Sequence, residues 1–251
     1  MQNTTRSGVY TMDVLIREIE NHDIISFDIF DTLVMRTVYY NKDVFRQMAQ
    51  QLDPVWDIDF FTARTQAEYS LSRETYPYIE EIYDDVVRQC PCLKGQETAL
   101  IAQELALEKA VIIPRQDVVA AFEAAKRMGK MVNIVSDMYF HEDTIREILE
   151  NVGISGYDKL LVSSEYRSSK PQHLFEKYLA EIPAGRCLHI GDSWACDILP
   201  AGKLGIDTFR LKMSTEIYEY EENIIPPAEL GQRTRVAEYV AKAYNSPFYA
   251  K

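Results

Sequence analysis

After Pro114 the chain settles into a rhythm that few folds accommodate. Val118, Val119, Phe122, Ala125 and Met128 form one face of a helix ended by Gly129, and the apolar run Met131-Val132-Asn133-Ile134-Val135 follows at once. The unit recurs with Ile145, Ile148, Leu149 and Val152 before Gly153, then Lys159-Leu160-Leu161-Val162. A helix over 174–179, a strand over 187–190, a helix over 198–204 closed by Gly205 and a strand over 208–211 complete the series. Apolar runs without polar alternation are strands covered on both faces, and helices between them impose parallel pairing with right-handed crossovers. The pattern predicts an α/β fold built on a Rossmann-like parallel sheet.

One more strand precedes this series. Met12, Leu15, Ile16 and Ile19 predict a helix that leads into Ile24-Ile25-Ser26-Phe27-Asp28-Ile29-Phe30-Asp31-Thr32-Leu33, an apolar run delivering two carboxylates and a threonine to one exit point. Such groups are costly to bury alone, so other parts of the chain must satisfy them. Between 37 and 115 the character changes. Helical patterns run over 44–52, 60–71, 79–87 and 98–110, no strand pattern matches them in strength, and Pro54, Pro77, Pro91 and Pro114 fall at expected helix boundaries. The predicted organisation is an α/β core from residues 1–36 and 116–251, interrupted by a helical cap over 37–115. Beyond Lys212 a tail with Pro226-Pro227 leads to a helix over 234–244.

Charge narrows the function. The formal net charge is −12, from 27 Lys plus Arg against 39 Asp plus Glu, which argues against a nucleic-acid partner and requires a local cation for any anionic substrate. No run approaches the roughly 18 apolar residues of a membrane span. The polar start, residues 1–10, lacks the apolar core of a signal peptide and predicts a cytoplasmic protein. Four cysteines, among them Cys90-Pro91-Cys92, read as free thiols, and the acidic surface suits a monomer or a dimer.

In an open parallel sheet, ligands bind beyond the carboxyl ends of the strands. The successive exits offer Asp28, Asp31 and Thr32; Ser136 and Asp137; Ser163, Ser164 and then Lys170-Pro171; and Gly191-Asp192 through Asp197. Mg²⁺ takes oxygen ligands, which Asp28, Asp192 and Asp197 can supply. Lys170 offsets their charge and can hold phosphate oxygens, Ser136 can hydrogen-bond one, and a carboxylate beside phosphorus can act as nucleophile.

These residues resemble the haloacid dehalogenase superfamily. Its four signatures are matched in order by Phe27-Asp28-Ile29-Phe30-Asp31-Thr32-Leu33, by Ser136 after an apolar strand, by Lys170-Pro171, and by Gly191-Asp192 through Asp197 with Ala201 and Gly205 behind. The wording of the first two is similar to that of a bacterial subgroup of predicted hydrolases associated with surface-polysaccharide synthesis. The resemblance implies a helical cap between the first two signatures, a small phosphorylated substrate such as a sugar phosphate, and Mg²⁺. Carried over by position, it makes Asp28 the nucleophile and a metal ligand, joined by the Phe30 carbonyl and Asp192, with Asp197 a ligand or the group orienting a metal-bound water. Thr32, Ser136 and Lys170 become the residues that support the nucleophile and bind phosphate.

One position departs from the family. Its phosphatases carry an aspartate two residues after the nucleophile, and here that position is Phe30; loss of a positioned acid or base costs about 10² to 10⁴ in rate. Three readings follow: a Mg²⁺-dependent phosphohydrolase in which Asp31 or a cap residue replaces the acid, a 2-haloacid dehalogenase, or a weak or degenerate domain that binds a phosphorylated ligand or a protein. Arg64, Arg73, Arg88, Tyr76, Tyr78 and Tyr83 are cap candidates for gripping substrate. Arg36, near the cap hinge, and Asp137, beside Ser136, are candidates from the core.

Overall fold

In the computed structural model, which describes residues 11–73 and 75–248, the helix α1 (Met12–Glu20) runs into β1 (Ile24–Phe27), the central strand of a five-stranded parallel sheet. β2 (Val34–Arg36) follows, then four helices, α2 (Asp43–Trp56), α3 (Phe60–Leu71), α4 (Ile79–Gln89) and α5 (Glu97–Val111), and β3 (Ile112–Pro114). From there strand and helix alternate: α6 (Gln116–Arg127), β4 (Met131–Ser136), α7 (Glu142–Asn151), β5 (Lys159–Val162), α8 (Ser163–Tyr166) and α9 (Phe175–Glu181). β6 (Cys187–Gly191), α10 (Leu199–Lys203), β7 (Asp207–Arg210), α11 (Ser214–Glu222) and α12 (Leu230–Ala243) complete the chain.

The main sheet has the order β5-β4-β1-β6-β7. Every residue of β1 is buried because each face meets a helical layer. Ile25 and Phe27 join Leu15, Ile19 and Phe122 on one side, where the Phe27 and Phe122 rings meet edge to face at 5.5 Å. Ile24 points the other way, to Phe175, Tyr178 and Ala201. The chain leaves β1 for β4 and β5 on one side and returns to β6 and β7 on the other. The strand order thus reverses at β1, which opens a crevice at the carboxyl ends of β4, β1 and β6. Beneath that crevice Asn133, Ser26 and His189 stand side by side in register, a buried polar row across an otherwise apolar layer.

β2 and β3 pair antiparallel, Val34 with Pro114 and Arg36 with Ile112, and form a ribbon from which α2–α5 hang. β3 lies where the sequence shows no strand pattern: three residues ending in proline are too short for a period-two signal, and their extended form comes from pairing with β2. α2 also continues through Pro54, which the sequence places at a boundary. Proline there gives up the bond to the Gln50 carbonyl, and the helix ends soon after, at the left-handed Asp57. Inside the insertion Arg64 is fully buried, donating to both oxygens of Glu104 at 2.8 Å, with Glu68 at 2.8 Å and the Tyr83 hydroxyl donating to Glu104 at 2.7 Å.

The segment after Lys212 is more ordered than the tail its sequence suggests. α11 is largely polar and buries Ser214, Ile217 and Tyr218, which is why its helical period is faint. α12 packs on it through Ala237, Val240 and Tyr244, and the buried Arg233 pairs with Asp43 of α2 at 2.8 Å. Among the described residues no helix is long and apolar enough to cross a membrane.

Candidate active site

Asp28 is the first residue beyond β1. Its N–H donates to the Ile190 carbonyl at 2.9 Å, so the ladder to β6 holds the backbone, while the buried carboxylate turns into the crevice and accepts from Lys170 Nζ at 2.7 Å. Lys170 Nζ also donates to Asp197. Asp192, at the end of β6, accepts from the Thr32 hydroxyl at 3.3 Å. Asp28, Asp192 and Asp197 each bring a carboxylate oxygen within 4.8 Å of the others.

Asp197 is the most tightly held of the three. The Ser193 N–H donates to Oδ2 at 2.9 Å, and His189 Nε2 lies 3.2 Å from Oδ1. A carboxylate can only accept, so Nε2 carries the proton and Nδ1 accepts from the Ser26 hydroxyl at 2.9 Å. Burial keeps the His189 ring neutral by pushing its pKa down. Ser26 and His189 of the polar row thus hold Asp197 from within the sheet.

One lysine among three buried carboxylates leaves excess negative charge. Burial, reinforced by the neighbouring acids, pushes Asp28 up to about 7 and Asp192 up to about 8. Asp197 shifts the other way: burial opposes its ionisation, yet Lys170 and His189 together hold it below the usual carboxylate range. Lys170 stays protonated, since Asp197 and Asp28 outweigh the cost of burying it. Two carboxyls that take up protons merely to remain buried form the donor set a hard divalent cation favours, because such an ion would displace those protons and satisfy the same oxygens.

The remaining predicted residues surround this cluster. Ser136 ends β4, and its Oγ is buried with no hydrogen-bond partner among the described residues, an orphaned donor at the strand end. The Asp137 carboxylate accepts from the Lys170 N–H at 2.9 Å, which seats the lysine loop against β4. Asp31 adopts a left-handed backbone, φ 60°, where glycine is usual, and turns the chain so that the Thr32 and Val34 N–H groups both reach the Ile29 carbonyl.

Phe30 and Asp31 face different cavities. Phe30 lines one of about 250 Å³ together with Arg36, Glu68, Tyr76, Glu108 and Asp137. The Arg36 guanidinium lies 4.2 Å from the centre of the Phe30 ring and donates to Glu108 at 2.8 Å. Asp31 instead lines a neighbouring cleft of about 570 Å³ with Tyr39, Lys42, Arg46 and Glu216. Of the insertion residues singled out in the sequence, Tyr76 reaches the cavity beside Phe30; Arg64 and Tyr83 lie in the interior of the insertion, Arg73 is exposed, Arg88 is exposed beside Asp85, and Tyr78 stacks on His141 at 4.6 Å. Two supporting residues escape the sequence reading. His189 leaves a trace there, a histidine inside an apolar strand run. Arg115, which reaches the loop of Asp31, leaves none.

Solved structures share the fold. An L-2-haloacid dehalogenase from Xanthobacter autotrophicus is 15% identical with a TM-score of 0.54, the match covering 85% of this chain and 87% of that one. A HAD phosphatase from Thermococcus onnurineus is 15% identical with a TM-score of 0.51, over 80% and 97%. A dehalogenase with an intermediate complex is 17% identical with a TM-score of 0.50, over 76% and 84%. None of the curated proteins matches the chain. The family model for haloacid dehalogenase-like hydrolases matches residues 22–205, from the end of α1 to the turn after α10, and with every strand exit of the site inside that span the chain belongs to this hydrolase family.

Proposed function

We propose that the protein is a Mg²⁺-dependent phosphohydrolase that acts on a small phosphate monoester through an aspartyl-phosphate on Asp28. The observation that carries this reading is the cluster of Asp28, Asp192 and Asp197, with Lys170 bridging Asp28 and Asp197, beside a Ser136 hydroxyl at the next strand end that has no partner among the described residues. Asp28, Asp192, Asp197 and the Phe30 carbonyl would hold Mg²⁺, which offsets charge on the phosphoryl oxygens and lets Asp28 and Asp192 ionise. Lys170 and Ser136 then orient the phosphoryl group.

An Asp28 oxygen attacks phosphorus, the bond to the leaving oxygen breaks, and that oxygen takes the electron pair and a proton. Water next attacks phosphorus and releases phosphate with a free Asp28 carboxylate. Phe30 cannot supply the proton. Of the carboxyls lining its cavity, Glu68 is paired with Arg64, while burial holds both Asp137 and Glu108 above the ordinary carboxylate range, Glu108 despite its bond to Arg36. Asp137 follows Ser136 at the end of β4, whereas Glu68 and Glu108 are engaged by arginines, so Asp137 is the carboxyl best placed to give a proton there.

The test is phosphate release from a panel of sugar and nucleotide phosphates, with Mg²⁺ and with chelator. Release that needs Mg²⁺ and is abolished in Asp28→Asn is expected; equal release from the variant removes Asp28 as nucleophile. A large gain in Phe30→Asp over a silent wild type would instead mark a degenerate binding domain. Chloride release from a 2-haloacid without metal would mark a dehalogenase.

A further inference from the structure

Arg115 is the residue that follows β3 and opens α6, and it is fully buried. All of its side-chain nitrogens are used on main-chain carbonyls rather than on a carboxylate. Nη1 donates to Asp31, Nη2 to Lys212 at 2.9 Å and Nε to Asn245 at 3.1 Å, residues 84, 97 and 130 positions away in the chain. Its own N–H donates to the Leu33 carbonyl at 2.9 Å. A single residue therefore grips the nucleophile loop at two points, Asp31 and Leu33, on either side of Thr32. It simultaneously ties that loop to the exit of β7 and to the C-terminal segment.

Each partner matters to the site. Asp31 is the left-handed residue between the Phe30 carbonyl and Thr32, whose hydroxyl reaches Asp192. Lys212 follows Leu211, whose N–H donates to the Gly191 carbonyl at 2.8 Å. Asn245 is held in turn, because its side chain accepts from the Gln116 N–H at 3.0 Å and donates to the Pro114 carbonyl at 3.1 Å, on both sides of Arg115. Burial lowers the pKa of Arg115 to about 10, so the guanidinium stays charged at neutral pH and adds positive potential near Asp31 and Asp192.

We propose that Arg115 is a positioning residue of the active site: by clamping the Asp31 carbonyl it sets the direction of the Phe30 carbonyl and the Thr32 hydroxyl, and through Asn245 it makes the C-terminal segment a working part of the catalytic loop. The proposal rests on Asp28 and its neighbours forming a metal-dependent site. It extends that site to a residue and a segment that touch neither metal nor substrate.

The experiment compares wild type with Arg115→Lys, Arg115→Ala and Asn245→Ala, reading Mn²⁺ affinity by calorimetry, kcat, KM and Tm. Outer residues that orient ligands are worth about 10- to 100-fold in metal affinity or activity. Arg115→Lys keeps the charge but loses most of the carbonyl contacts, so a fall of that size in kcat and in Mn²⁺ affinity is expected with KM little changed. Asn245→Ala should fall in the same direction by less, and millimolar guanidinium ion should restore part of the loss in Arg115→Ala. If Arg115→Ala fails to fold, Arg115→Lys and Asn245→Ala decide the matter. Wild-type kcat and Mn²⁺ affinity in Arg115→Lys, whatever its Tm, would overturn the proposal. A wild-type protein that neither binds Mn²⁺ nor releases phosphate defeats the phosphohydrolase reading itself and takes this proposal with it, an outcome distinguishable by the wild-type titration alone.

Discussion

The carboxylate of Asp197 lies directly against the Cα of Gly191: a Cβ built there would sit 2.4 Å from Asp197 Cγ and 2.7 Å from Oδ2. Asp197 cannot yield, because Ser193, His189 and Lys170 hold its oxygens. Gly191 is thus the condition for bringing the third carboxylate back over the end of β6.

Gly191→Ala is expected to displace Asp197. Overpacking of this kind costs about 1–3 kcal/mol, and the loss should appear both as a lower melting temperature and as weakened Mn²⁺ binding. A variant that melts and binds metal like wild type would mean that the loop has slack the structure does not show.

Metal-free stability should fall as pH rises. In the folded protein Asp28 and Asp192 keep their protons up to about 7 and about 8, while in the unfolded chain they lose them near 3.8. Between those values the folded state binds more protons, so raising the pH favours unfolding. Asp197, depressed when folded, stays ionised throughout this window; His189, held neutral by burial, opposes the trend only below its ordinary value of 6.5 and is one group against two. In chelator, Tm is expected to drop by several degrees, on the order of 5 °C, from pH 5 to pH 8, and millimolar Mg²⁺ should recover it at pH 8. A Tm that rises over this range in chelator would contradict the assignment.

Asp137→Asn separates proton supply from binding. The amide keeps an oxygen for the Lys170 N–H but cannot give a proton, so kcat toward esters with poor leaving groups is expected to fall by about 10². Aryl phosphates, whose leaving oxygen needs little protonation, should be hydrolysed nearly as before. Equal losses on both substrate types would place the role of Asp137 in structure.

Arg64→Ala strands Glu104 without its cation inside the insertion. Breaking a buried pair from one side costs about 3–5 kcal/mol, measurable in a denaturant titration. The double variant Arg64→Met with Glu104→Leu should recover part of that loss, since it removes both charges and keeps the volume but takes the acceptor from the buried Tyr83 hydroxyl.

The parts legible in the sequence are those whose signal is local. Apolar runs ended by Asp28, Ser136 and Asp192 announce a parallel sheet and its chemistry, because burial on both faces and carboxylates at strand ends leave a direct trace. The ribbon of β2 and β3 leaves none, since Ile112 to Pro114 are extended through pairing across the insertion. α11 hides for a different reason: its polar composition blurs the helical period, and its few buried residues match partners on α12. Arg115 is the extreme case, an arginine after a proline whose meaning lies wholly in contacts far along the chain. Phe30 is legible as a departure, yet its place beneath Arg36 emerges from the fold.

The ribbon also has a consequence for how this protein can change over evolutionary time. Because β2 and β3 are paired neighbours, the four-helix insertion enters and leaves the core about one strand spacing apart, near 4.8 Å. A module attached at two adjacent points can be lengthened, shortened or exchanged while the sheet and its acidic crevice keep their positions. Selection can therefore revise the wall of the cavity beside Phe30, through residues such as Tyr76 and Glu68, without renegotiating the scaffold that holds Asp28.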